Sequence, residues 1–142
     1  MSNKNIFTVA VGFFGGIITT FYGGWCTGLT TLVTFMAIDY LSGLIVAGVF
    51  KKSTKSETGA LESKAGFKGL CKKGMILFIV LVAYRLDLLI GTNYIRDAVI
   101  IGFCANELLS IVENAGIMGV PLPPIILKAI DVLINKEGND NG

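Results

Sequence analysis

The stretch Phe103-Cys104-Ala105-Asn106-Glu107-Leu108-Leu109-Ser110-Ile111-Val112-Glu113-Asn114 continues an apolar run that begins near Tyr94. A glycine-bearing turn and then Pro121-Leu122-Pro123-Pro124 follow it. At about 100° per residue, Asn106, Glu107, Ser110, Glu113 and Asn114 fall on one arc of about 120° of a helix. The rest of the circumference is apolar. Carboxylates and amides on such a helix are expensive in hydrocarbon, so the arc requires a partner, a wet cavity or an interface.

Working outward, composition says what surrounds this helix. The chain has 142 residues, of which 53% are hydrophobic and 15% charged. A soluble domain carries roughly 25% charged residues. Membrane insertion is therefore the economical reading. The formal charge of +2 conceals an asymmetry: seven of the twelve basic residues lie between Lys51 and Lys73.

Upstream, Ile6 to Tyr22 is uncharged and mostly apolar. As a helix it spans about 26 Å, just enough for a bilayer core. A signal peptide is the competing reading, but another apolar segment follows at once. Gly12 and Gly16 form a small-xxx-small ridge that permits close helix contact, although glycine is common in membrane helices anyway. Gly23-Gly24-Trp25 breaks the helix, and Tyr22 and Trp25 suit a membrane–water boundary.

Leu29 to Phe50 is the second long apolar run, with the single charge Asp39 near its middle. Gly28, Asp39, Ser42, Gly43 and Ala47 lie on or near one side. An acid at mid-bilayer costs at least about 2.5–3.5 kcal/mol, so Asp39 is expected to face another helix or water. The alternatives are a structural contact within one chain, pore lining and subunit pairing.

In the segment 51–73, Lys51, Lys52, Lys55, Lys64, Lys68, Lys72 and Lys73 oppose only Glu57 and Glu62. Lysines beside membrane segments mark the cytoplasmic side. They also suit anionic lipid headgroups. Nucleic-acid binding is disfavoured, because the segment has no arginine and one aromatic residue. Gly74 to Ile90 is the third apolar run, with Arg85 and Asp87 near its far end. Gly91-Thr92-Asn93 turns into the run that carries the polar arc.

The expected fold is an all-α integral membrane protein with four transmembrane helices, at about 6–23, 28–50, 74–91 and 94–113. A three-span arrangement is the alternative, with the first segment or 95–114 at the interface. The basic loop 51–73 and both termini are placed in the cytoplasm. Glu113 is then expected near Lys51, Lys52, Lys72 or Lys73, with Glu107 deeper as an assembly contact. Pro124 suits the first turn of an amphipathic helix over 124–136. Residues 137–142 read as a disordered tail.

Cys26, Cys71 and Cys104 are far apart and the chain has no histidine, which argues against a zinc site or a disulfide framework. No nucleophile elbow or phosphate loop is present. An intramembrane aspartyl protease using Asp39 and Asp87 is disfavoured by their sequence context. No enzyme activity and no cofactor is expected.

Several of these residues, taken in order, carry a resemblance. Asp39 and Gly43 sit within a membrane helix, with Lys51 or Lys52 after it. Then come Ser63, Gly66, Gly69, Leu70, Lys72 and Lys73, and Asp87 closes the third run. Last is Asn106-Glu107-Ser110-Ile111-Glu113-Asn114, followed by Gly119, Pro121 and Pro123. Over roughly residues 35–135 this resembles the phage lysis and toxin-secretion holin family of Gram-positive phages and clostridial toxin loci. The resemblance implies a homo-oligomer in the bacterial cytoplasmic membrane that opens lesions. An endolysin or a toxin would pass through as cargo without stable binding, and a separate antiholin is left open. It implies no catalytic residue. Asp39, Gly43, Asn106, Glu107, Ser110, Glu113 and Asn114 become the oligomerisation or pore candidates. A small channel or transporter subunit and a membrane adaptor that retains a partner through 125–136 are the competing readings.

Overall fold

The computed structural model describes residues 2–140, which form helices and no strand. α1 runs Asn3–Tyr22, α2 Thr27–Ile45, α3 Ser63–Ile90, α4 Ile95–Ile117 and α5 Pro124–Asp140. The last turn of α2 widens into a π-helical segment, Val46–Phe50.

The breaks follow from local chemistry. α1 stops at Gly23, whose φ of 77° is left-handed. A side chain there would collide with the Tyr84 ring, so glycine serves both the turn and the close approach. The Cys26 Sγ accepts a hydrogen bond from the Leu29 N–H (3.4 Å) and caps the start of α2. α3 ends at Gly91 (φ 82°), whose N–H returns to the Asp87 carbonyl (2.9 Å). Pro124 opens α5, where its missing N–H costs nothing.

α2, α3 and α4 form the body of the molecule. Gly28 of α2 lies against Ile100 of α4, and further along Ser42 meets Asn114, so these two helices run parallel. α3 runs opposite to both, from Lys73 beside Glu107 to Asp87 beside Ile95. Leu29, Leu32, Met36, Val80, Ile100 and Cys104 form the core between them. A Cβ on Gly28 would stand 3.2 Å from Ile100, so the bare backbone sets this close approach.

α1 contrasts with the rest, since it buries no residue. Its C-terminal end touches α3, with Ile18 and Tyr22 against the core and the Tyr22 hydroxyl donating to the Leu77 carbonyl (3.0 Å). Gly12 and Gly16 face open space, so their ridge makes no contact within the chain. α5 folds back on α4 through Ile130 and Leu133.

The helices depart from the expected segments at three places. α3 begins at Ser63, so Ser63–Lys73 of the expected basic loop is helical. Lys64, Ala65, Lys68 and Lys72 are good helix formers, and the apolar run downstream supplies the packing that sustains them. α4 continues to Ile117, and α5 continues to Asp140. Residues 137–140 of the expected tail are thus helical, because propagation from 124–136 meets no proline. Residues 141–142 lie outside the described part. By length and composition, α1 and α2 with its π-segment are apolar enough to cross a bilayer.

Candidate functional site: a buried ionic network

Three helices each bring one charged side chain to a common point. Asp39 sits on α2, Lys73 on α3 and Glu107 on α4. The Lys73 Nζ donates to Asp39 Oδ2 (2.8 Å) and to Glu107 Oε2 (2.6 Å). The side chains of Asp39 and Glu107 are only 7% and 5% exposed. One ammonium therefore bridges two buried carboxylates.

Neutral groups complete the site. Asp39 Oδ1 accepts from the Ser110 hydroxyl (2.5 Å) and from Asn114 Nδ2 (3.2 Å). Asn114 also donates to Ser42 Oγ (2.8 Å), and Ser42 in turn donates to the Asp39 carbonyl (3.1 Å). Helical spacing explains the convergence: Glu107, Ser110 and Asn114 lie at steps of three and four on α4, one above another. Every fully buried side-chain polar atom among the described residues has a partner.

Two carboxylates against one buried lysine leave a surplus negative charge, which leans on the loop. Lys55 brings its Nζ to 3.8 Å from Asp39 Oδ1 and donates to Ser110 Oγ (3.4 Å). Its side chain is 56% exposed, so the second cation is held from the wet side. A cavity of about 660 Å³ opens there between the loop, α2, α3 and α4. Asp39, Glu107 and Lys73 line it, with Tyr40, Gly43, Lys68, Lys72, Asn106 and Glu113 around them.

The polar arc read from sequence thus divides. Glu107, Ser110 and Asn114 turn inward and meet Asp39, while Asn106 and Glu113 are exposed along the cavity's open side. Gly43 faces Asn114, whose Nδ2 would lie 3.9 Å from an added Cβ. Two expectations need correction. Glu113, expected near Lys51, Lys52, Lys72 or Lys73, forms no ion pair among the described residues, and Lys73 reaches Glu107 and Asp39 instead. Lys73 is accordingly the centre of the network, not a surface residue like Lys51, Lys52, Lys64, Lys68 and Lys72, which are exposed. Its position directly before the apolar run from Gly74 was the available signal. Ser42 lies on the Asp39 side of α2, as the spacing predicts, while the place of Tyr40 was not anticipated.

A second polar cluster occupies the opposite end of the bundle. Asp87 Oδ1 accepts from the Thr92 hydroxyl (2.7 Å) and the Ile95 N–H (3.0 Å), and Oδ2 accepts from the Arg96 N–H (2.9 Å). Asp87 thereby caps the first turn of α4. Arg96 donates to the Tyr22 carbonyl (2.7 Å) at the end of α1 and lies 5.8 Å from the Tyr84 ring centre. Outside the helical spans, Glu62 is held below the usual carboxylate range. The Thr58 hydroxyl is the main cause, donating at 2.8 Å, and the Thr58 N–H adds a bond at 3.1 Å.

Two helices long and apolar enough to cross a bilayer, with a charged network buried between helices, give the chain the character of a membrane-type helical protein. The model of the bacteriophage holin family matches residues 16–135, and the chain belongs to that family. Its relatives include an uncharacterised protein of Listeria monocytogenes serovar 1/2a, 41% identical over 128 residues, covering 89% of this chain and 86% of the relative. An uncharacterised 14.9 kDa protein of the nagH 3′ region of Clostridium perfringens is 38% identical, covering 87% of this chain and 89% of its own. A probable holin of Bacillus phage phi105 is 29% identical over 113 residues, covering 79% and 76%. No solved structure matches. The family and the two apolar helices point to a non-enzymatic membrane protein with holin-like function.

Proposed function

We propose that this chain is a holin that assembles with copies of itself in the bacterial cytoplasmic membrane and opens lesions. Four helices, α1 to α4, cross the bilayer, and both termini and the lysine-bearing end face the cytoplasm. A cytoplasmic endolysin, or a toxin, then crosses through the lesion as cargo.

The observation that carries this reading is the bridged pair Asp39–Lys73–Glu107, with Ser110 and Asn114 beside it. A chain of apolar helices hides a ready hydrophilic wall inside itself. In the closed form Lys73 and the neutral groups satisfy that wall, so a single copy is compatible with lipid. When neighbouring copies associate and α3 moves away from α2 and α4, the same side chains face water instead. The exposed face of α1, including Gly12 and Gly16, is free to pack on a neighbour at that stage. Many copies gain wet surface together, so opening is steep in protein density.

The test is induced expression with a membrane-potential dye, with and without a co-expressed endolysin. The expected result is a sudden loss of potential and lysis only when endolysin is present. Graded, solute-selective flux without killing contradicts the reading and fits a small channel subunit. Growth without any permeability change fits an adaptor.

A further inference from the structure

The cavity beside the network has a second chemistry that the ionic pairing does not use. Lys68 and Lys72 stand one turn apart on α3, line the cavity, and are exposed. Among the described residues neither forms an ion pair. Of the acids that line the cavity with them, two are held by a cation and one by a hydroxyl. Lys73 holds Asp39 and Glu107, and Thr58 holds Glu62. Glu62 and Glu113 also line the wall without an ion pair among the described residues, so its charges balance overall and the positive charge is local, on the neighbouring Lys68 and Lys72.

Tyr40 adds an uncharged donor. Its ring lies on a bare patch of α3: an added Cβ on Gly66 would stand 3.4 Å from the Tyr40 hydroxyl oxygen, and one on Gly69 3.8 Å from the ring. The two glycines let the ring reach the cavity wall, and the hydroxyl makes no hydrogen bond among the described residues. Leu44 and Leu61 supply an apolar side to the same cavity. Two ammonium groups and a hydroxyl beside an apolar wall match an anionic phosphate ester attached to a hydrocarbon chain.

We propose that this cavity binds the headgroup of an anionic phospholipid, with Lys68 and Lys72 on the phosphate and Tyr40 donating to it. The site rests on the membrane reading above, with the lysine-bearing end of the bundle at a headgroup layer. A bound lipid bridges α2 and α3 beside Lys73 and so favours the closed packing of these helices.

Native mass spectrometry of the full chain in detergent tests this, with titrations of phosphatidylglycerol, phosphatidylcholine and soluble glycerol phosphate. One phosphatidylglycerol per chain is expected, bound in preference to phosphatidylcholine. Lys68→Gln with Lys72→Gln should weaken it by at least about tenfold, since each lysine near an anionic headgroup contributes several-fold. Tyr40→Phe should weaken it less. Lys51→Gln with Lys52→Gln removes the same charge outside the cavity and should leave it unchanged. Equal loss in both double variants, or equal binding of phosphatidylcholine, overturns the site. Glycerol phosphate binding as tightly as the lipid, with the same lysine dependence, overturns the lipid assignment. The four lysines are exposed and form no ion pair among the described residues, and unchanged helical circular dichroism verifies that the variants fold. Occupancy is read without lysis, so its failure is distinct from failure of the lesion reading.

Discussion

Asp87 and the Asp39–Glu107 pair are both buried acids on helices of the same bundle, about 21 Å apart along α3. They are satisfied in opposite ways. Asp87 takes its hydrogen bonds from the Ile95 and Arg96 N–H groups and the adjacent Thr92 hydroxyl, all within the turn it closes. These donors lie five to nine residues further along the chain, so the short turn between α3 and α4 keeps them beside Asp87. Asp39 and Glu107 depend on Lys73, a side chain from a different helix, and on Lys55 from a loop. These donors can leave with every helix intact. The first acid is built for permanence, and the second is a contact that helix separation breaks.

The largest expected effect comes from removing the shared cation. Lys73→Met leaves two buried carboxylates without a bridge and should destabilise the closed fold by about 3–5 kcal/mol. Circular dichroism during denaturation in micelles measures this. Lys72→Met, one residue away but exposed, should stay within about 0.5 kcal/mol. Equal effects would erase the distinction between the two lysines.

The cap comes next. Asp87→Ala should cost about 1–2 kcal/mol, with faster hydrogen exchange confined to the first turn of α4. Asp87→Asn retains an acceptor and should recover most of it. Exchange spreading to Asp39 would show that the two sites are one unit. Lys55→Ala removes a half-exposed cation and should cost about 0.2–1 kcal/mol, less at high salt.

The smallest effect is the pH response of the Thr58–Glu62 turn. Glu62 titrates below its unfolded value, so its contribution is present at neutral pH. It is lost as pH falls through the depressed carboxylate range. Thr58→Val should raise the Glu62 midpoint toward the ordinary range, followed by its side-chain carbon shift in NMR.

The helices were legible because apolar runs and Gly or Pro breaks are local signals. α2 and α4 fall within a few residues of the runs that predict them. The beginning of α3 was not, because a lysine-rich segment reads as a loop until the packing of its C-terminal half holds it helical. At the site, helical spacing placed Glu107, Ser110 and Asn114 on one face, and cost placed Asp39 against a partner. The identity of that partner was hidden. Lys73 looks like its exposed neighbours in composition; its place directly before the apolar run is a weak signal, and the crossing of α3 over α2 and α4 is what selects it. Asp87 was legible as a polar residue near a helix end, but its bonds to the next helix depend on how the turn 91–94 closes.

Under the proposed function, the Asp39–Lys73–Glu107 bridge serves opening more than folding. The variant Asp39→Leu, Lys73→Met, Glu107→Leu replaces all three charges with apolar groups of similar size, which is commonly neutral or stabilising. The direct measurement is lysis timing of this variant at matched membrane abundance, with co-expressed endolysin. The expected result is a folded protein at normal abundance that fails to lyse or lyses much later. Lysis at the unaltered time by the folded, all-apolar variant would contradict it.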